Sequence, residues 1–152
     1  MLKTFSGTVS CCLSFLGEWL GLLFLRLLLA WEFGEAGWGK YNGTNWFDKM
    51  TEPFPFPFNL VPPDINWFLA MWTELIGAVG LLLGLFTRFW AAGLIILDVV
   101  AWLSVHDGNG YNVCNNGYKL PLIYLAMLVP LLLMGPGKLS LDHLFFGRNQ
   151  KL

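Results

Sequence analysis

The sequence predicts an all-α fold, an integral membrane four-helix antiparallel bundle forming one transmembrane domain over residues 1–152, and three observations predict it. Hydrophobic residues make up 56% of the chain and charged residues 12%, the latter about half the roughly 25% of an ordinary soluble domain. Four charge-poor stretches reach about the 20 residues that a spanning helix needs: Leu13 to Trp38, Asn66 to Phe86, Phe89 to Val105 and Tyr118 to Met134. Only Thr87 and Arg88 separate the second from the third, and so short a turn forces an antiparallel hairpin. The spans consume ~80 residues, leaving loops and tails but no room for a catalytic domain of ordinary size. A soluble helical protein would carry polar faces at helical period, and the second and fourth segments carry none.

The first span follows Lys3 and runs apolar through Trp31 without a small-residue cleavage site, which marks a retained helix rather than a cleaved leader. Cys11 and Cys12 fill apolar space near its start. From Tyr41 to Pro63 comes a non-helical stretch containing FPFPF and VPP, where alternating prolines remove backbone donors. Its rings (Trp46, Phe47, Phe54, Phe56, Phe58) suit a loop at the membrane interface. Asp64 is placed to cap the second span. Gly77, Gly80 and Gly84 let a neighbouring helix approach that span closely. HDGNGYNVCNNGYK forms a polar loop before the fourth span, which carries Pro130 and stops at GPG. The tail from 138 to 152 has enough leucine and phenylalanine for a short interfacial helix.

Basic residues near the span ends set orientation. Lys3, Arg88, Lys138, Arg148 and Lys151 lie on one side, against Lys40, Lys49 and Lys119 on the other. That bias puts both termini in the cytoplasm and, in a bacterial inner membrane, both long loops in the periplasm. A net charge of −1 offers no basic stripe for nucleic acid.

Arg26, Glu74 and Asp98 fall inside apolar spans, where each costs roughly 2.5–3.5 kcal/mol on insertion scales and must find a partner in the bundle. Helical rise places Glu32, Glu74 and Asp98 at about one depth, roughly 10 Å below the loop-side helix ends. Arg26 comes out deeper, and a guanidinium with five donors beneath several carboxylates is a sensible arrangement. Arg26, Glu32, Glu74 and Asp98 are therefore the candidate catalytic residues, around a polar cavity that binds a cation or passes protons. The plainer alternative is a buried network that only fixes helix register. His106, with Asp107 and Cys114, offers weak candidate ligands for a transient copper or iron contact. No His-x-x-x-His or Cys-x-x-Cys spacing accompanies them, so an interfacial histidine satisfied by water is the plainer reading. Cys114 lies on the opposite side from Cys11 and Cys12, so no disulfide within the chain spans them.

The run LLFLRLLLAWEFGEAGWGK, the segment ELIGAVGLLLGLFTRF and the terminal GPGKLSLD from Gly135 to Asp142 together resemble the DoxX family of four-helix membrane proteins. WFDKM, PFPFNLVPP and AWLSVHDGNGYNVCNNGYKLPLIY are similar to its HvfX-like branch. That resemblance implies an accessory protein of a bacterial inner membrane, assisting maturation of a copper-binding peptide modified on cysteine. The expected partners are the lipid bilayer, the peptide precursor and its maturation enzymes. The family has no agreed catalytic motif, so what carries over is Arg26, Glu32, Glu74, Arg88 and the GPGKLSLD run.

Three functions follow. A quinone-linked redox accessory, an oxidoreductase component in its enzymatic form, would hold a quinone head group between helices against Trp31, Trp72 and Trp102, the candidate cofactor-binding residues. No Cys-x-x-Cys pair is present to shuttle electrons. A transporter or channel for a small solute or ion would use the buried carboxylates, and four helices would then require a homo-oligomer. A non-catalytic scaffold would present the aromatic loop to a partner.

Overall fold

The computed structural model describes residues 17–50 and 54–146, and among these there is no strand. The expected starts of the first span and end of the tail, with Cys11 and Cys12, lie outside the described residues. Helix α1 covers Leu22–Asn42, preceded by a π-helical turn at Gly17–Gly21. It runs past Trp38, where the sequence reading ended it, because no residue breaks the helix before the extended Gly43.

Helix α2 covers Pro63–Leu83, beginning and ending earlier than the expected Asn66 to Phe86. Proline suits a first helical position because its missing N–H has no partner to lose there. Pro62 stands at the cap, and Asp64, expected to cap, instead accepts a hydrogen bond from Asn45 Nδ2 at 2.6 Å. The helix stops at Gly84, left-handed at φ 65. Leu85 N–H donates to Gly80 O at 2.9 Å, the pairing that ends helices on a glycine. The hairpin turn is thus Gly84 to Phe86, and Thr87 already opens the next helix.

Helix α3 covers Thr87–Ala101 and continues as a π-helical turn over Trp102–His106. Helix α4 covers Lys119–Met134 with Pro130 inside it. The expected tail helix is present as α5, Leu141–Phe146.

The four long helices pack in a ring, α1 on α2, α2 on α3, α3 on α4 and α4 on α1. Their contacts run in opposite directions along each pair. Arg26 meets Leu81 while Lys40 meets Glu74, and Arg88 meets Leu133 while Trp102 stacks on Tyr118. A Cβ on Gly37 would lie 2.9 Å from Leu75 Cγ, so α1 and α2 touch almost backbone to side-chain stem. The glycine face of α2 serves α3 in the same way, with Leu94 against Gly77 and the Trp90 ring against Gly80. Leu29, Leu81, Leu94, Leu128 and Leu131 fill the centre and are fully buried.

Polarity is distributed inside out. Arg26, Asn66, Glu74, Thr87, Asp98 and Ser104 are buried, while Trp31, Phe89 and Leu133 are 71%, 67% and 70% exposed. Large apolar surface of this kind is stable only against another apolar phase. Pro63–Leu83 and Thr87–His106 are long and apolar enough to cross a membrane, and Lys119–Met134 is apolar but shorter.

The end formed by Gly84, Arg88 and α5 is held by the GPGKLSLD run. Asp142 accepts hydrogen bonds from Phe86 N–H at 2.8 Å and Thr87 N–H at 2.9 Å, and its own N–H donates to Gly84 O at 2.9 Å. One carboxylate from the tail thereby caps the free donors at the start of α3.

Candidate functional site

At the opposite end, a cavity of about 760 Å³ lies among all four long helices. The proline-rich loop covers one side of it. Asn66 Nδ2 donates to Phe58 O at 2.9 Å and Val61 O at 3.2 Å, tying that loop to α2. Phe47 is buried, with its ring 5.1 Å from Phe54 and 5.0 Å from Trp67. The aromatics expected at the interface thus form, in part, the cavity wall, while Phe56 remains 79% exposed.

The polar groups come from every wall. Lys40 Nζ lies 2.7 Å from both carboxylate oxygens of Glu74. Tyr124 on α4 donates its hydroxyl to Glu32 on α1 at 2.6 Å. Asp98 borders the cavity from α3 and is within electrostatic reach of Glu74. Glu35 is exposed and also borders it. His106 is at the rim, its Nδ1 2.8 Å from Asn116 O, so Nδ1–H donates to that carbonyl.

The expected cluster of Arg26 with the acids is corrected. Arg26 donates from Nη1 to Leu81 O at 3.4 Å and from Nη2 to Leu139 O. The acid within its electrostatic reach is Asp142, and it does not border the cavity. Its guanidinium meets one carbonyl in the last turn of α2 and one in the incoming tail, as a cation at a helix C-terminus does. Arg88 works at the same end, donating to Leu133 O at 3.2 Å. Lys40 takes the place expected of Arg26.

The tryptophan expectation is also corrected. Trp31 is 71% exposed and Trp72 39% exposed, Trp102 stacks on Tyr118 with centroids 5.0 Å apart, and none of the three borders the cavity. The rings that do are Phe33, Trp46, Phe47, Phe54, Phe58 and Tyr124. Cys114 is exposed and away from the cavity. Among the described residues no three histidine, cysteine, aspartate or glutamate side chains come close enough to hold one metal ion. With fewer than three such donors meeting at His106, the described residues do not fit a resident metal centre.

Lys40, Tyr124 and Asn66 escaped sequence reading. Lys40 sits i+8 from Glu32 on a helix without a breaker, so continuing the helical period past Trp38 would have placed it on the inward face. Tyr124 and Asn66 carry no comparable signal.

Fold and cavity define a class: an all-helical membrane protein with an inward-facing acidic pocket at one end. The chain belongs to the DoxX family, whose family model matches residues 21–107, a span holding Glu32, Lys40, Glu74 and Asp98. It is 55% identical over 134 residues to a protein of Haemophilus influenzae described as uncharacterized, covering 88% of this chain and 89% of the relative. A second Haemophilus influenzae protein, also described as uncharacterized, is 29% identical over 133 residues, covering 82% of this chain and 90% of that protein. No solved structure matches significantly.

Proposed function

We propose that this is an inner-membrane accessory protein that crosses the bilayer four times with both termini in the cytoplasm. Its cavity receives a small amphipathic ligand from the periplasmic side. In this reading it supports the maturation of a copper-binding modified peptide by quinone-linked redox chemistry.

The observation that carries the reading is the cavity of about 760 Å³, within the range of small-ligand sites, which pair apolar walls with a few convergent polar groups. The rings of Phe33, Phe47 and Phe58 would flank a quinone head group, and Tyr124 with Glu32 would hold its polar edge and exchange protons. A bound quinone would supply a two-electron acceptor in the bilayer. Four crossings are supported by the apolar exteriors of the long helices and by 21 residues in each of α1 and α2, about 31 Å at helical rise. Arg88 and Lys138 at the tail end support the orientation. The likeness of the loop segments to the HvfX-like branch supports the peptide partner.

The test is extraction in mild detergent followed by mass spectrometry of co-purified small molecules, with a titration of short-chain quinone read by tryptophan fluorescence. Stoichiometric quinone, or saturable quenching diminished in Phe33→Ala, is expected. Neither a co-purified quinone nor saturable binding would remove the quinone from the proposal.

The carboxylates in the cavity favour a second reading, a small-solute or ion transporter. Reconstituted liposomes would then show flux that falls in Glu74→Gln, and equal near-zero flux in both proteins would dismiss it.

A further inference from the structure

The charge of the cavity is lopsided. Glu32, Glu35, Glu74 and Asp98 border it against the single ammonium of Lys40, a formal excess of three negative charges with His106 neutral. That ammonium is already engaged, 2.7 Å from both oxygens of Glu74. Tyr124 spends its hydroxyl proton on Glu32.

Two further groups are buried beside the cavity with acceptor atoms that have no hydrogen-bond partner among the described residues. Asp98 is 4% exposed and its Oδ2 is unpartnered. Asn66, an uncharged residue on a different helix, is 6% exposed and its Oδ1 is unpartnered. Both amide hydrogens of Asn66 are not in doubt as to direction, since its nitrogen bonds two carbonyls. Buried acceptors without donors are costly. The cost is recovered by a ligand that brings N–H donors and positive charge.

We infer that the cavity binds an ammonium group carried on an apolar body, with Asp98 and Asn66 accepting its N–H hydrogens and Phe33, Phe47 and Phe58 enclosing the carbon skeleton. The Lys40–Glu74 pair is the internal precedent: a primary ammonium held by a carboxylate in the same low-dielectric space. An ammonium gains more there than in water because screening is weak. A carboxylate or phosphate would meet net repulsion. The same head-group chemistry occurs on free aliphatic amines and on the N-terminus or lysine side chain of a peptide. This inference rests on the cavity being a ligand site but not on quinone or redox chemistry.

The test uses full-length protein in detergent micelles, with binding read as quenching of tryptophan fluorescence, Trp46 bordering the cavity. The probes are hexylammonium, hexanol and hexanoate, then a short apolar peptide with a free or an acetylated N-terminus, and sodium chloride as competitor. Hexylammonium is expected to bind at least about tenfold tighter than hexanol, the factor equivalent to about 1.4 kcal/mol, and hexanoate weakest. Asp98→Asn should lose about tenfold for the amine and leave hexanol unchanged. Should Asp98→Asn lack wild-type circular dichroism, Glu32→Gln, which keeps an acceptor for Tyr124, takes its place with the same expectation. A peptide preference lost on acetylation identifies the peptide source, and preference for the free amine identifies the other. Competition by sodium at millimolar concentration as effective as hexylammonium would overturn the organic cation. Equal binding of amine and alcohol would overturn the inference while leaving the cavity as a ligand site, and no saturable binding of any probe would sink both.

Discussion

The ammonium of Lys40 bridges both carboxylate oxygens of Glu74 at 2.7 Å, and it does so from the last turn of α1 to the middle of α2. Glu74 is 4% exposed and Lys40 17% exposed at their side chains, so each shields the other from an apolar surround. Removing one partner strands a buried charge, which costs far more than the pair itself contributes. Lys40→Met should therefore lower stability by about 3 kcal/mol. Adding Glu74→Gln should recover most of that loss. A double-mutant cycle in detergent, read by thermal or denaturant unfolding, measures the coupling, and additive losses would contradict it.

Asp142 caps a helix that is distant in sequence. Replacing it with alanine leaves the Phe86 and Thr87 donors without their acceptors, and a lost cap costs about 1–2 kcal/mol. The expected signature is local: faster amide exchange at Phe86, Thr87 and the first turn of α3, with the cavity end unchanged. Uniform acceleration along the chain would argue against a local cap.

Gly84 and Gly93 form a matched pair for a backbone test. Gly84 is left-handed at φ 65, with the Arg26 guanidinium and Ser140 beside it, whereas a Cβ on Gly93 would meet only Thr73 Cγ2 at 3.9 Å. Gly84→Ala should destabilise by more than about 1 kcal/mol through backbone strain alone, with more from displacing Arg26. Gly93→Ala should be neutral or stabilising by up to about 1 kcal/mol, since alanine is the better helix former. Equal effects would contradict the turn geometry.

Tyr124→Phe removes the donor to Glu32 while keeping the ring against Phe33, whose centroid is 5.6 Å away. A hydrogen bond to a charged acceptor is worth about 1.5–3 kcal/mol, and a loss in that range is expected by equilibrium unfolding. An unchanged midpoint would mean that solvent replaces the hydroxyl.

The proposed orientation has a direct readout at Cys114, which is exposed in the loop after α3. In a Cys11→Ser, Cys12→Ser background, an impermeant maleimide applied to spheroplasts should label it. Labelling only after lysis would reverse the orientation.

The sequence by itself determined the helices, because a long apolar run with few charges has no other way to satisfy its backbone in lipid. It also marked which ionisable residues had to face inward, and Glu74, Asp98 and Arg26 are all buried. It did not determine which cation the acids meet. Arg26 and Lys40 lie on nearly the same face of α1, separated by about 21 Å along the axis at helical rise. Only the vertical register of α1 against α2, set where Gly37 lets the helices touch beside Glu74 and Leu75, puts Lys40 at the carboxylates and Arg26 at the tail. The tryptophans follow the same rule. Residue type named Trp31, but helix rotation, a property of packing between segments distant in the chain, turned Phe33 to the cavity and Trp31 away from it.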